Sequence, residues 1–193
     1  MRNAERVTFG GSGLDRASEL RGSAKASPRE GDLFIIHWRG KFAVDLKNAC
    51  ELALMKYPNK IISNKQIIFL GRKKDVSYFA TDISEWEPIG QDEIDGSFYD
   101  KTQQFHEFLG KDFPFWELRN FMHLLTPRSA ELASTAKSVF HWQNTSRFCS
   151  KCGQKVSIIE SGWQINCENC NSSSFPRIDP VVIMLITNGP FVL

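Results

Sequence analysis

Long hydrophobic runs are missing from this 193-residue sequence. The N-terminus has no apolar core of the signal-peptide type, and the six apolar residues Val181–Ile186 fall far short of the ~20 that span a bilayer. A marked charge excess is missing too, with 24 Lys and Arg against 22 Asp and Glu. These absences argue against a membrane protein, and they leave no basic field that would bind nucleic acid through net charge alone.

Cysteine is also scarce, but four of the five cysteines form two C-x-x-C pairs separated by fourteen residues: Cys149, Cys152, Cys167 and Cys170. This spacing is typical of a tetrathiolate zinc site, with redox motifs or chance as the alternative. Between the pairs, Lys155–Ile165 is long enough for a short hairpin. Because four thiolates complete the tetrahedron, the sequence predicts a structural zinc ion rather than a catalytic one.

The fifth cysteine, Cys50, has no partner at ligand spacing. It lies in an apolar run of helical spacing from Leu46 to Leu54, which predicts a buried free thiol on a helix. Four metal-binding thiols and one single thiol favour a reducing compartment, the cytoplasm, over secretion. The four histidines are far apart and are predicted to be ordinary surface or core residues: His37, His106, His123 and His141.

The hydrophobic pattern predicts an α+β fold, with strands in the first half of the chain and helices before the cysteines. Strands are predicted at Leu33–Trp38 and Lys41–Asp45. A hairpin is predicted from Gln66–Leu70 and Ser77–Thr81, with residues 71–75 as its turn. The acidic stretch Asp82–Asp100 lacks ligand spacing and is predicted to be a solvated loop or edge rather than a metal cluster.

Two helices are predicted before the cysteine pairs. The first covers Phe115–Leu125, whose apolar residues share one face. The second follows an N-cap at Thr126 with Pro127 in the first turn, and it ends near Asn144. A domain boundary is therefore expected near residue 145.

Four segments in this order resemble the NADH pyrophosphatases (NAD⁺ diphosphatases) of the Nudix superfamily. The resemblance is carried by the opening segment Phe9–Ser18, by Leu132–Ala136 running through His141-Trp142 into Arg147-Phe148-Cys149, by the cysteine pairs, and by Phe175-Pro176-Arg177-Ile178-Asp179-Pro180 with the following Val181–Met184. Together the segments are spread over nearly the whole chain. The cysteine pattern alone is shared with many unrelated zinc ribbons.

The resemblance implies three parts: an N-terminal α+β domain over residues 1–145, a zinc ribbon over 146–176, and the start of a Nudix α/β/α sandwich over 177–193. Such enzymes cleave the pyrophosphate of NADH or NAD⁺ to nicotinamide mononucleotide and AMP, and related members remove NAD caps from RNA. Their chemistry uses Mg²⁺ or Mn²⁺ held by the glutamates of the Nudix box. The family commonly forms homodimers. Neither a membrane nor DNA is an expected partner.

The sequence departs from this family at the Nudix box itself. No Arg-Glu-x-x-Glu-Glu occurs, no two glutamates are adjacent, and Asp179 is the only acidic residue beyond Cys170. The catalytic domain is therefore expected to be cut off after about one strand, Val181–Thr187. A chain without the glutamate-bearing helix is expected to be inactive alone, and we assign it no catalytic residue.

The resemblance also concerns two further positions. Phe175 occupies the place of an aromatic residue that stacks on a base of the dinucleotide, and packing of the ribbon onto its neighbour is the alternative. Some bacterial members carry a substrate-contacting glutamate where this chain has Gly162, so that contact is absent. A non-catalytic zinc-ribbon module that binds a nucleotide, RNA or protein remains the alternative function, and an inactive remnant of a shortened gene is a third interpretation.

Overall fold

A mixed β-sheet lies at the centre of the fold in this computed structural model, which describes residue 9 and residues 11–62, 65–90, 101–177 and 183–192. Its strands in this part of the chain are β1 (Leu33–Trp38), β2 (Lys41–Asp45), β3 (Glu51–Leu52), β4 (Met55–Lys56), β5 (Ile67–Lys73), β6 (Val76–Asp82) and β7 (Phe115–Glu117). The main path runs β3-β2-β1-β6-β5, with β4 paired to β1 and β7 to β2. Strands β1 and β6 are parallel, and the other pairs are antiparallel.

Both faces of this sheet are covered, so the central strands are apolar on both sides. Along β1, Phe34, Ile36 and Trp38 point into one cluster of buried residues while Ile35 points into the other, as the two-residue period of a strand requires. The strands predicted at Leu33–Trp38 and Lys41–Asp45 are confirmed with the same bounds. The predicted hairpin is confirmed with longer strands, and Gly71 lies inside β5 rather than in the turn.

A long helix, α2 (Pro127–Thr145), covers one face of the sheet. Its predicted N-cap is confirmed, because the Thr126 side chain accepts a hydrogen bond from the Ser129 backbone N–H. The apolar side of α2 packs on the sheet through five buried residues: Leu132, Ala133, Ala136, Val139 and Phe140. The C-terminal end of α2 therefore lies at the edge of the sheet, next to the cysteine-rich segment.

The predicted helix over Phe115–Leu125 is wrong in its first part. Residues Phe115–Glu117 form β7, and only the short helix α1 (Leu118–Phe121) follows. Phe42 pairs with Trp116 across the sheet, a contact between residues far apart in sequence. This long-range pairing decides the structure of residues 115–117 against the helical spacing of their apolar side chains.

The predicted helix around Cys50 is also wrong. Here β2 ends at Asp45, a turn follows, and β3 begins at Glu51. Ala49 and Cys50 both have left-handed backbone angles, with φ of 52° and 59°. Cys50 is half-buried against the α2 face of the sheet rather than enclosed in a helix.

The opening segment ties the sheet to α2. Asp15 and Arg72 of β5 exchange backbone hydrogen bonds of 3.0 and 2.7 Å. The Arg16 guanidinium lies 3.0 Å from the Glu131 carboxylate, and Arg128 donates to the Ser12 carbonyl oxygen at 2.8 Å. Gly10 lies outside the described residues.

The last described segment differs from its prediction. Residues 183–186 have no regular secondary structure, and a two-stranded hairpin follows from β11 (Thr187–Asn188) and β12 (Phe191–Val192). Residues 181–182 of the predicted strand lie outside the described residues. Residues 183–186 do not form the predicted strand because, within the described residues, no strand pairs with them, and their side chains are exposed. Among the helices described, none is long and apolar enough to cross a membrane.

Candidate metal centre

Two knuckles present the four cysteines, and each closes through backbone hydrogen bonds. In the first, the Cys149 N–H donates to the Gln154 carbonyl and the Gly153 N–H to the Cys149 carbonyl, both at 2.8 Å. In the second, the Cys167 N–H donates to Ser172 at 2.9 Å and the Asn171 N–H to Cys167 at 2.8 Å. The residue after the second cysteine of each pair is left-handed, with φ of 74° at Gly153 and 55° at Asn171. Glycine and asparagine tolerate this conformation best, so the two knuckles have one geometry.

A three-stranded sheet holds the knuckles together. It consists of β8 (Ser157–Ile159), β9 (Gln164–Asn166) and β10 (Ser173–Ser174), in the order β10-β9-β8. Ile158 pairs with Ile165, which confirms the hairpin predicted between the cysteine pairs. A single turn of 3-10 helix, Glu160–Gly162, connects its two strands.

The four cysteine sulfurs fit a zinc ion. All lie within 4.8 Å of one another, with Sγ atoms 3.6 Å apart for Cys149 and Cys170 and 3.5 Å apart for Cys152 and Cys167. Four sulfurs about 2.3 Å from a tetrahedral zinc ion are separated by about 3.8 Å, so a small adjustment would seat the metal. Among the described residues, these cysteines are the only group of three or more His, Cys, Asp or Glu side chains placed to hold a metal.

Hydrogen bonds prepare two of these thiols for a metal. The pKa of Cys149 falls to about 6, first because of the Ser172 hydroxyl, which lies 3.1 Å from its sulfur, and then because of backbone N–H groups. The same hydroxyl lowers the pKa of Cys170. The Cys170 backbone N–H lowers the pKa of Cys167, but burial and the Cys152 thiol outweigh it and raise that pKa to about 11. A bound zinc ion would bring all four to the thiolate form.

The zinc-binding unit is fastened to the central sheet through its 3-10 turn and Trp163. The Trp163 Nε1–H donates to the Phe69 carbonyl oxygen of β5 at 2.7 Å. The Arg21 guanidinium covers the same indole, 3.8 Å from the ring centre. From α2, the Gln143 side-chain amide donates to the Gly162 carbonyl at 2.7 Å.

Gly162 is buried where the turn touches β5, with a φ of +96°. A Cβ atom added there would lie 2.9 Å from the Ile68 Cγ1 atom and 3.2 Å from the Ile68 Cα. Both the conformation and the contact therefore require glycine. A glutamate at this position would push the zinc-binding unit away from the sheet. The packing of the turn on β5 therefore explains why this chain has no glutamate here to contact a substrate.

The other residues considered in the sequence lie outside this centre. Phe175 follows β10 with 60% of its surface exposed. His37 is buried, and its Nδ1 atom lies 2.9 Å from the Asp82 carboxylate, a pairing that its sequence position did not reveal. Burial raises the pKa of Asp82, but hydrogen bonds from His37 and Ser84 outweigh it and hold that pKa below its usual value. Residues 91–100 of the acidic stretch lie outside the described residues.

Sequence reasoning missed two residues of the centre, Asn171 and Ser172. The signal for Asn171 was available, because it follows Cys170 as Gly153 follows Cys152, and asparagine is the usual substitute for glycine in left-handed positions. Ser172 acts through its hydroxyl, which lies near the Cys149 and Cys170 sulfurs. The spacing of residues in the sequence does not predict these contacts.

Two protein families match this chain, and they follow one another along it. Residues 31–142 match the NADH pyrophosphatase-like rudimentary NUDIX domain. Residues 144–175 match the NADH pyrophosphatase zinc ribbon domain. The first match contains the central sheet and most of α2, and the second contains both knuckles.

Individual relatives carry related names. Nudix hydrolase 19 of Arabidopsis thaliana, a chloroplastic protein, is 31% identical over 135 residues, which is 65% of this chain and 27% of the relative. A mitochondrial NAD(P)H pyrophosphatase of Homo sapiens is 35% identical over 75 residues, 39% of this chain and 21% of the relative. The NAD-capped RNA hydrolase NudC of Pseudomonas entomophila is 35% identical over 79 residues, 40% of this chain and 29% of the relative. The chain thus spans less than a third of each relative's length.

Proposed function

The chain belongs to the NADH pyrophosphatase family of Nudix-type proteins, and from that premise we propose that it supplies the N-terminal and zinc-ribbon parts of an NAD(H) diphosphatase. The proposed substrates are NADH, NAD⁺ and NAD-capped RNA; the names of the relatives contain NAD(P)H and NAD-capped RNA. The observation that carries the proposal is the order of the two family matches, which end in a four-cysteine cluster of zinc-site size. The matches support this function rather than a non-catalytic binding module.

Zinc has a structural role in this proposal. Cys149, Cys152, Cys167 and Cys170 would hold it, which leaves no ligand position for water or substrate. We assign residues 1–145 to the N-terminal domain, 146–176 to the zinc ribbon and 177–193 to the start of a Nudix domain. A homodimer and a cytoplasmic location belong to the same proposal.

Hydrolysis needs a second kind of metal site, for Mg²⁺ or Mn²⁺. These hard cations prefer carboxylate oxygens, and the 193-residue sequence contains no adjacent Glu-Glu pair. The described acidic residues at and after the end of β6 already form ion pairs: Asp82 with His37, Glu85 with Lys65, and Glu87 with Arg39. The chain alone is therefore expected to bind its dinucleotide without cleaving it.

Phe175 is the proposed contact to that dinucleotide. Its exposed ring at the end of β10 offers a flat apolar face, and a nicotinamide or adenine ring gains about 1–3 kcal/mol from such stacking. The alternative is that Phe175 packs the ribbon onto a neighbouring part of the chain. The exposure of its ring to solvent supports stacking on a ligand rather than this packing.

The test uses the 193-residue chain loaded with zinc. NADH is incubated with it in Mg²⁺ or Mn²⁺, the nucleotide products are resolved, zinc is quantified, and NADH binding is titrated by calorimetry. We expect about one zinc per chain, no AMP, and NADH binding that is weaker in Phe175→Ala.

Phe108→Ala is the matched control, because Phe108 is 63% exposed and lies on the N-terminal domain. Its NADH binding should equal that of the unchanged chain. Metal-dependent release of AMP would refute the inactive-alone part of the proposal. Absence of NADH binding in a zinc-loaded, folded chain would refute the substrate assignment.

A further inference from the structure

The first zinc knuckle has a surface that the structural role of zinc does not explain. Phe148 stands immediately before the first ligand, yet 67% of its surface is exposed. Three basic residues surround it in the sequence, Arg147, Lys151 and Lys155, and all three are exposed. No acidic residue occurs between positions 144 and 159. We call Phe148 and these three basic residues the Phe148 surface.

The backbone fixes this surface in place. Phe148 and Lys155 form an antiparallel bridge, so their side chains lie across from one another on the same side of the ladder. The Val156 N–H donates to the Arg147 carbonyl oxygen at 3.3 Å, and the Cys149 N–H closes the knuckle onto Gln154. A surface held by a metal-bound knuckle loses little freedom when a ligand binds to it.

The positive charges of the Phe148 surface are not neutralised by the acidic residues of the ribbon. Glu168 accepts a hydrogen bond from Ser157, and the Glu160 carboxylate lies beside Gly22. The Arg147 guanidinium donates to the neutral Asn144 side chain at 3.3 Å. Asp82 and Glu85 line a cavity of about 430 Å³ that Arg147 and Lys155 also line, but Asp82 is paired with His37 and Glu85 with Lys65. The Phe148 surface therefore keeps a positive charge that favours an anion.

A cavity of about 220 Å³ adjoins the aromatic ring. Phe148, Val156, Ser172, Ser173 and Ser174 are among the residues that line it. The Ser172 hydroxyl lies against the Cys149 and Cys170 sulfurs, and the Ser173 hydroxyl bonds to Gln164 and Asn166. The Ser174 hydroxyl near an exposed ring suits a flat group that carries hydrogen-bonding edges, such as a nucleobase. Phe175, the proposed dinucleotide contact, directly follows Ser174.

We infer that the Phe148 surface binds single-stranded RNA, with a base stacked on Phe148 and the phosphates near Lys151 and Lys155. Only an unpaired base can reach such a ring, which favours a single strand over a duplex. The inference rests on the proposed function, because it takes RNA with an NAD cap as a substrate. It adds the place where the RNA chain beyond the cap is held.

Fluorescence anisotropy of the zinc-loaded 193-residue chain tests the inference. The probe is an uncapped, unstructured RNA of about 15 nucleotides, titrated over a series of salt concentrations. Phe148→Ala should weaken binding by about 5- to 150-fold, the loss of one stacked base. Replacing both Lys151 and Lys155 by alanine should reduce the slope of log K against log salt by about 1.4. Phe148→Leu removes the ring but keeps an apolar side chain, in case the alanine variant misfolds.

Two controls match these changes elsewhere on the chain. Phe108→Ala removes a similarly exposed ring, and alanine at both Lys73, the last residue of β5, and Lys74, in the turn that follows, removes the same charge. If the controls weaken binding as much as the test variants, or if duplex RNA binds better, the inference is overturned. NADH binding without RNA binding overturns it and leaves the proposed function intact, whereas loss of both refutes the proposed function as well.

Discussion

At the scale of single residues, two neighbours decide how the zinc ribbon is joined to the sheet. Gly162 allows contact with Ile68, and Trp163 reaches over β5 to the Phe69 carbonyl oxygen. The indole is held between that hydrogen bond and the Arg21 guanidinium. This apolar contact and this directed hydrogen bond fix the position of the ribbon, together with the hydrogen bond from Gln143 to the Gly162 carbonyl oxygen.

Trp163→Phe is expected to destabilise the chain by about 1–3 kcal/mol. The phenyl ring keeps most of the apolar contact but leaves the Phe69 carbonyl oxygen without its donor, and an unsatisfied buried acceptor carries this cost. Urea denaturation of the zinc-loaded chain, followed by circular dichroism, measures the loss.

Trp116→Phe is the matched control for that substitution. The Trp116 Nε1 atom is buried and has no hydrogen-bond partner among the described residues, so the change removes no bond. Its loss of stability should be clearly smaller than that of Trp163→Phe. Equal losses would mean that the indole of Trp163 acts through its volume alone.

At the scale of elements, the ribbon depends on its metal far more than the sheet does. Ile165, Cys149 and Cys167 are its buried residues of apolar type, whereas the central sheet buries large side chains on both faces. Strands of two or three residues do not persist without further support. Zinc therefore supplies the folding free energy of this unit.

Cys152→Ser should abolish zinc binding and unfold the ribbon while the central sheet stays folded. Amide hydrogen exchange should become fast in β8 and β9 and remain slow in β5 and β6, because α2 and the sheet form their own core. Cys50→Ser is the control, since Cys50 lies outside the cluster and should leave zinc content unchanged. Loss of protection in β5 as well would show that the two units fold together.

The elements predicted from sequence are those whose signals are local. β1 is a short apolar run, a turn separates it from β2, and α2 carries an N-cap, a proline and an apolar stripe within its own residues. The helix predicted over residues 115–117 is wrong, because the strand at that position forms through pairing with β2, some seventy residues earlier. The helix predicted around Cys50 is wrong for a similar reason: helical spacing of apolar residues cannot reveal a tight turn between two strands.

At the scale of the whole molecule, the near-neutral net charge conceals a local cluster of basic residues. A formal charge of +2 argues against nucleic-acid binding, yet the first knuckle concentrates three basic residues without an acidic one. The zinc centre itself was predictable, because its four ligands follow a fixed spacing. Its attachment through Trp163 and Gln143 was not predictable, since those contacts join distant parts of the chain.

The apolar segment over residues 183–192 should govern the association of the whole chain. Ile183 is fully exposed, and Met184, Leu185 and Phe191 are each more than 70% exposed, so this segment presents several uncovered apolar side chains in and before the short hairpin of β11 and β12. Such surfaces associate. Deleting residues 183–193 is expected to lower concentration-dependent self-association in sedimentation velocity, while zinc content and thermal stability stay unchanged. Replacing both Ile183 and Leu185 by lysine, which keeps the length, should act in the same direction; unchanged association in both variants would place the self-contact on another surface.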